Sequence, residues 1–192
     1  GAILRRALEV SELCNNAELR GETGAGVGDP LEVALLEAAG QAGLDVPELR
    51  ECHPELQEEA FDPDSKRMAT VHRTPEGAVL VAAKGAPEAI IEVCASVLGP
   101  DGPIPLDEAA RAHWLEQQSS LAARGLRLLG LAYKRIDDEN APAYADLILV
   151  GWVALADPPR RDVREAIARC RRAGINVVMV TGDQPETGQT IG

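Results

Sequence analysis

Apolar residues recur at helical spacing at Ile3, Leu4, Ala7, Leu8 and Val10, which predicts an amphipathic helix over residues 2–14. A second helix opens at Asp29-Pro30 and runs to about residue 42, with aspartate at the N-cap and proline at the first helical position. Glu32, at the third, either closes a capping interaction or faces outward to a ligand. Residues 56–61 and 66–73 flank Asp62-Pro63-Asp64-Ser65, a sequence rich in turn formers, and together they predict a hairpin. Residues 78–83 form an apolar strand that leads into Lys84-Gly85-Ala86-Pro87-Glu88, where a helix to about residue 97 begins. Residues 99–105 read as a Gly/Pro loop, and Asp107 caps a long helix that Gly125 terminates. Strands follow over residues 126–134 and 147–156, the second apolar enough to be buried on both faces. Beyond Asp157-Pro158-Pro159-Arg160, which two prolines make stiff, residues 161–172 form an arginine-rich helix with Val163, Ile167 and Cys170 on one face. An apolar strand over residues 175–180 then ends in Thr181-Gly182-Asp183, half of a parallel α/β unit.

This pattern predicts an α/β (α+β) chain: a twisted, mainly antiparallel sheet flanked by helices over residues 1–156, then an incomplete α/β piece. The length of 192 residues suffices for one sizeable core, or for one domain with part of another. A net charge of −12 argues against nucleic acid or an anionic membrane as partner, so any anionic ligand must be held by a local cluster of cations. The longest apolar run, residues 147–156, is short of the ~20 residues a membrane span needs. The four cysteines and three histidines are scattered, which predicts free thiols and no structural zinc site.

Three positions stand out chemically. Phe61 is the single phenylalanine and lies beside turn residues, with Lys66 and Arg67 across the hairpin. An aromatic face near fixed cations suits a nucleotide, although a core residue at a strand end reads equally well from these residues alone. Lys84 leaves a strand beside a helix N-terminus, a geometry suited to phosphate; its plain alternative is a solvated strand-end lysine. The chain uses sixteen arginines but only three lysines, Lys66, Lys84 and Lys134, so a lysine marks a place where a compact ammonium is suited. Gly24-Ala25-Gly26-Val27-Gly28-Asp29 fails as a dinucleotide fingerprint because no strand precedes it and Asp29 replaces the third glycine.

Seven motifs in order resemble the cation-transporting P-type ATPases: Cys14-Asn15-Asn16-Ala17, Gly28-Asp29-Pro30-x-Glu32, Phe61-x(4)-Lys66-x-Met68, Lys84-Gly85-Ala86-Pro87-Glu88, Gly125-Leu126-Arg127, Asp157-Pro158-Pro159-Arg160 and Thr181-Gly182-Asp183. The chain is similar to their cytoplasmic nucleotide-binding domain followed by the opening of the second phosphorylation-domain segment. The resemblance implies a nucleotide-binding domain over residues 1–156, a hinge at 157–160, and a haloacid-dehalogenase-like fragment over 161–192. It implies that Phe61 stacks on adenine with Met68 lining the pocket, and that Lys66, Lys84 and Gly85 lie at the nucleotide. Glu32 would be a polar contact, Arg127 would reach the phosphates, and Asp157 and Arg160 would join the two domains. Thr181 and Asp183 would belong to the phosphoryl-transfer site. Leu31 stands where many relatives carry threonine, and Pro63 where some calcium pumps carry arginine.

The implied cofactors are ATP and magnesium as MgATP. The implied partners are the phosphorylation, actuator and membrane domains of a parent pump, on the cytoplasmic side of the membrane. The family's Asp-Lys-Thr-Gly-Thr and Gly-Asp-Gly-x-x-Asn-Asp motifs do not occur in this sequence, so no catalytic or metal-binding residue is expected here and the chain alone should be inactive. The motif set favours the branch that moves calcium, sodium and potassium, or protons. The competing reading is a non-catalytic protein-interaction module, which a nucleotide titration separates from an ATP-binding domain.

Overall fold

Among the described residues, seven strands form one sheet in the order β3-β4-β5-β8-β9-β6-β7, antiparallel throughout except for the parallel pair β6–β9. The computed structural model describes residues 1–20, 25–138, 141–156, 162–178 and 180. The strands are β3 (Glu55–Asp62), β4 (Arg67–Arg73), β5 (Val79–Gly85), β6 (Cys94–Gly99), β7 (Gly102–Pro105), β8 (Arg127–Ile136) and β9 (Leu147–Leu155). A separate two-stranded ribbon, β1 (Glu18–Arg20) with β2 (Ala25–Val27), puts one strand ahead of the glycine-rich residues 24–29, where none was expected, and another within them.

Side chains alternate between the two sheet faces, and each face has its own helices. On one, Met68, Leu80, Ala82, Leu131, Tyr133 and Val150 pack under Val10, Leu13 and Cys14 of α1 (Ala2–Leu13). On the other, Ala69, Val71, Val81, Ala83, Ala132 and Leu149 pack under Ile90 and Ile91 of α4 (Pro87–Glu92) and Trp114 of α5 (Glu108–Ala122). Trp114 and Trp152 meet edge-to-face with ring centroids 5.5 Å apart. α2 (Pro30–Gln41) and α3 (Val46–Cys52) lie against α1 and complete the first face.

Local signals act as expected where they are strongest. The Asp29 carboxylate accepts from Leu31 N–H at 2.9 Å, and that of Asp107 accepts from Ala110 N–H at 2.7 Å. Gly125 closes α5 with φ +77°. The four cysteines are free, and burial pushes the Cys14 thiol up to about 11.

Two expectations need correction. The helix begun at Pro87 ends at Glu92, not near residue 97, and residues 94–105 form the hairpin β6–β7 where helix and loop were expected. Arg111 of α5 donates to the carbonyls of Ile91 and Cys94, so a side chain distant in sequence takes up the end of α4 and the start of β6. The strand expected over residues 175–180 is not formed by its described residues, and Ile175, Val177, Val178 and Val180 are exposed. A strand of this apolar kind needs neighbours on both sides, and none of the described strands pairs with it. α6 (Val163–Arg172) before it is helical as expected, but none of its residues is buried.

Candidate functional site

The site is built at one end of the sheet, where β3, β5 and β9 finish and β4 and β8 begin. Met68 lies opposite Lys84, Arg67 opposite Gly85, and Gly85 opposite Gly130. Arg127 opens β8 at this same end, opposite Leu155, the last residue of β9.

The turn that brings Phe61 and Lys66 here is made by its own side chains. The Asp62 carboxylate accepts from Asp64 N–H at 3.1 Å and Ser65 N–H at 3.2 Å, and these bonds hold its carboxyl below the usual range. Lys66 N–H closes the turn on Asp62 C=O at 2.7 Å, with Lys66 left-handed at φ 53°. The β3–β4 register shifts between Glu59 and Asp62, a bulge that contains Phe61. Phe61 is 57% exposed, whereas Met68 on the neighbouring strand is buried in the core cluster under α1. The core reading of Phe61 is therefore excluded by its exposure, whereas Met68 is itself a core residue.

Lys84 is buried, which overturns its reading as a solvated strand-end lysine. Its Nζ lies 2.5 Å from Glu32 Oε1, so the charge is matched within the fold. Glu32 does not turn back to cap α2. Its Oε2 accepts from Asn16 N–H at 3.3 Å, and its carbonyl accepts from Asn15 Nδ2 at 3.0 Å. The Cys14–Ala17 motif thus holds the residue that holds Lys84. Gly85 permits the close approach of β4: a Cβ there would lie 2.4 Å from Lys66 O and 2.8 Å from Arg67 Cα. Ala86 N–H donates to Lys66 O at 2.9 Å, tying the hairpin turn to the start of α4. The Lys66 ammonium is exposed and 3.7 Å from Glu88, a contact water screens heavily.

Two basic residues suggested by sequence serve the fold. Arg67 turns to the α4 face, where its guanidinium donates to Ala89 O at 3.2 Å and lies 4.8 Å from the Tyr144 ring centroid. Lys134 is buried and donates to the carbonyls of Pro142 at 2.5 Å and Ala145 at 2.8 Å, pinning the loop before β9; burial lowers its pKa. Asp157, Arg160, Thr181 and Asp183 lie outside the described residues.

Sequence reasoning missed Arg50 and Glu12. Arg50 of α3 reaches the carbonyls of Asn15 and Ala17, each at 3.4 Å, and lies 3.9 Å from Glu12 Oε2. Glu12 is fully buried, and neither carboxylate oxygen accepts a hydrogen bond among the described residues. Burial raises its pKa to about 7, against the opposing pull of Arg50 and Lys84. An acidic residue in the last turn of an amphipathic helix gives no sign of such burial. The Asn15-Asn16 pair beside it was the available signal, since adjacent amides leaving a helix often bond backbone.

Chemically, this sheet end offers an exposed aromatic ring, an exposed ammonium and a buried ammonium. Residues 3–162 match the family model of P-type ATPase, cytoplasmic domain N. The calcium-transporting ATPase 1 of Bacillus cereus is 34% identical over 192 residues, covering 98% of this chain and 21% of that protein. The sodium/potassium exporting P-type ATPase of Schizosaccharomyces pombe is 38% identical over 194 residues, 96% of this chain and 18% of its own length. The sodium/potassium-transporting ATPase subunit alpha-2 of Gallus gallus is 33% identical over 205 residues, 95% of this chain and 20% of that subunit. The chain thus spans about a fifth of the length of the curated relatives it matches. On a match that runs from residue 3 to residue 162 and on these relatives, the chain belongs to the P-type cation ATPases, as their cytoplasmic domain N.

Proposed function

We propose that the chain binds ATP at the end of the sheet marked by Phe61 and Lys84 and presents it to an acceptor aspartate outside residues 1–192. The observation that carries this reading is the placing of a 57% exposed Phe61, in a bulge of β3, with only β4 between its strand and that of the buried Lys84 held by Glu32. The base stacks on Phe61 over the Met68 floor, and Lys66 and Lys84 attract the phosphates while Gly85 leaves room for them. Glu32 orients Lys84, and Arg127, at the start of β8, serves the phosphate tail. Cations with a single paired carboxylate suit a phosphate chain better than a bare metal, so magnesium arrives on the nucleotide as MgATP.

In the same proposal, residues 157–160, with Asp157 and Arg160, are the hinge to a phosphorylation domain begun by 161–192, where Thr181 and Asp183 approach phosphoryl transfer. The parent protein would then be an ATP-driven cation pump whose phosphorylation, actuator and membrane domains are this domain's partners. Among the described residues no helix is long and apolar enough to cross a membrane.

Calorimetry on a folded Phe61→Ala variant tests the base site. ATP, ADP and AMP should each lose ~1–3 kcal/mol, because all three share the stacked base. Unchanged affinity rejects the assignment and leaves the protein-interaction module as the better reading. Lys84→Gln tests the phosphate side: ATP affinity and its salt dependence should both fall, while adenosine binds as before. Equal losses for ATP and adenosine would mean that Lys84 acts on the fold and not on phosphate.

A further inference from the structure

We propose that Glu12 is a proton-binding site linked to the nucleotide site, so that the chain takes up a proton at Glu12 when an anionic nucleotide engages Lys84. The inference rests on the ATP-binding reading above and adds a second ligand, the proton, at a residue that makes no contact with nucleotide.

The geometry is a closed cluster of four charges. Glu12 sits in the last turn of α1 with no exposed surface and no hydrogen bond to either oxygen among the described residues. Arg50 of α3 is 3.9 Å away but also occupied by the carbonyls of Asn15 and Ala17. Lys84 of β5 is the second cation whose charge reaches Glu12, and it is held at 2.5 Å by Glu32 of α2. Other titratable groups around this end of α1 are Cys14 on the helix itself, Tyr133 of β8 and His72 of β4. His72 is bonded to His53 C=O at 3.0 Å and to Thr70 Oγ1 at 2.8 Å, and burial lowers its pKa. From β9, Val150 and Val153 add only apolar contact.

Two carboxylates, one fully buried and one half-buried, thus draw on Lys84, and only Glu32 bonds it. A phosphate arriving at Lys84 competes with both. Glu32 keeps the Asn16 N–H as an alternative partner. Glu12 has no such donor, so the added negative charge disfavours its ionised form in this low-dielectric site. The group already titrates near neutrality, with its pKa raised to about 7 by burial, so a modest push is met by protonation. Reciprocity fixes the converse: a protonated Glu12 leaves more of the Lys84 field free, and ATP binds more tightly at lower pH.

The test is MgATP calorimetry at pH 7 in two buffers of unequal ionisation enthalpy, with Glu12→Gln alongside. The native chain should take up a fraction of a proton per MgATP beyond the Glu12→Gln variant, and adenosine should release or take up none in either. Between pH 8 and pH 6 its ATP affinity should rise about fivefold, the lower end of usual coupling, with the variant flat at the tighter value. A carbon-detected titration of the Glu12 carboxyl in the ligand-free chain should find a midpoint near 7 that moves up in Lys84→Gln. ATP that binds with equal proton uptake in both chains overturns the linkage while leaving the nucleotide site standing. Failure of ATP and adenosine to bind at all overturns the nucleotide reading first and the linkage with it.

Discussion

Gly85→Ala should cost about 3 kcal/mol of stability and most of the affinity for ATP. The added Cβ would lie 2.4 Å from Lys66 O and 2.8 Å from Arg67 Cα, and both are backbone atoms of the facing strand. A flexible side chain could swing away, but a paired strand cannot without breaking its ladder. The conflict is purely steric, since Gly85 has no left-handed backbone to relieve. Its relief moves the start of β4, which carries Lys66, and strains the Ala86 N–H bond to Lys66 O. The turn beside Phe61 shifts with it, so stacking and phosphate contacts weaken together. Denaturant unfolding and a nucleotide titration on one preparation check both halves. A variant with native stability and affinity would show that the hairpin turn yields freely.

The second large effect is on stability against pH, through Glu12. Its folded pKa of about 7 stands above the ordinary glutamate value of 4.5, so between those values the native chain holds a proton that the unfolded chain has released. Stability from this group is therefore full below about pH 4.5 and is lost as pH rises through 7, amounting to about 3 kcal/mol. Glu12→Gln mimics the protonated form. It should match the native chain near pH 4 and exceed it by up to that amount at pH 8. His72, whose pKa burial lowers, opposes the trend below pH 6.5 in both proteins and cancels in the difference. Parallel stability profiles for the two would reject a buried, titrating Glu12.

What the sequence displayed was local chemistry. Asp62-Pro63-Asp64-Ser65 announced a hairpin because its turn is bonded by its own side chains, and Asp29, Asp107 and Gly125 marked helix ends for the same reason. Phe61 was legible as a candidate because an aromatic among turn residues has no local reason to be there; its exposure came only from the fold. β6 was hidden because it pairs with β9, some fifty residues on, whereas β7 pairs with β6 alone in a local hairpin; α4 ends where Arg111 takes the Ile91 carbonyl. Glu12 and Arg50 were hidden because burial of a charge is decided by three elements packing together. Arg67 and Lys134 show the opposite error, cations whose residue type suited a ligand but whose partners are backbone and an aromatic ring.

The place of β9 has a consequence for how the domain comes into being. It is the last strand of the sheet in sequence, yet it lies inside, between β8 and β6. During synthesis the first 146 residues hold every other strand, but only as two detached sets, β3-β4-β5-β8 and β6-β7. Both then expose an open edge that waits for the same nine residues, Leu147–Leu155. Assembly is thereby delayed to the end of translation of this region, and nascent chains halted before Leu147 are the ones that chaperones and proteases would recognise.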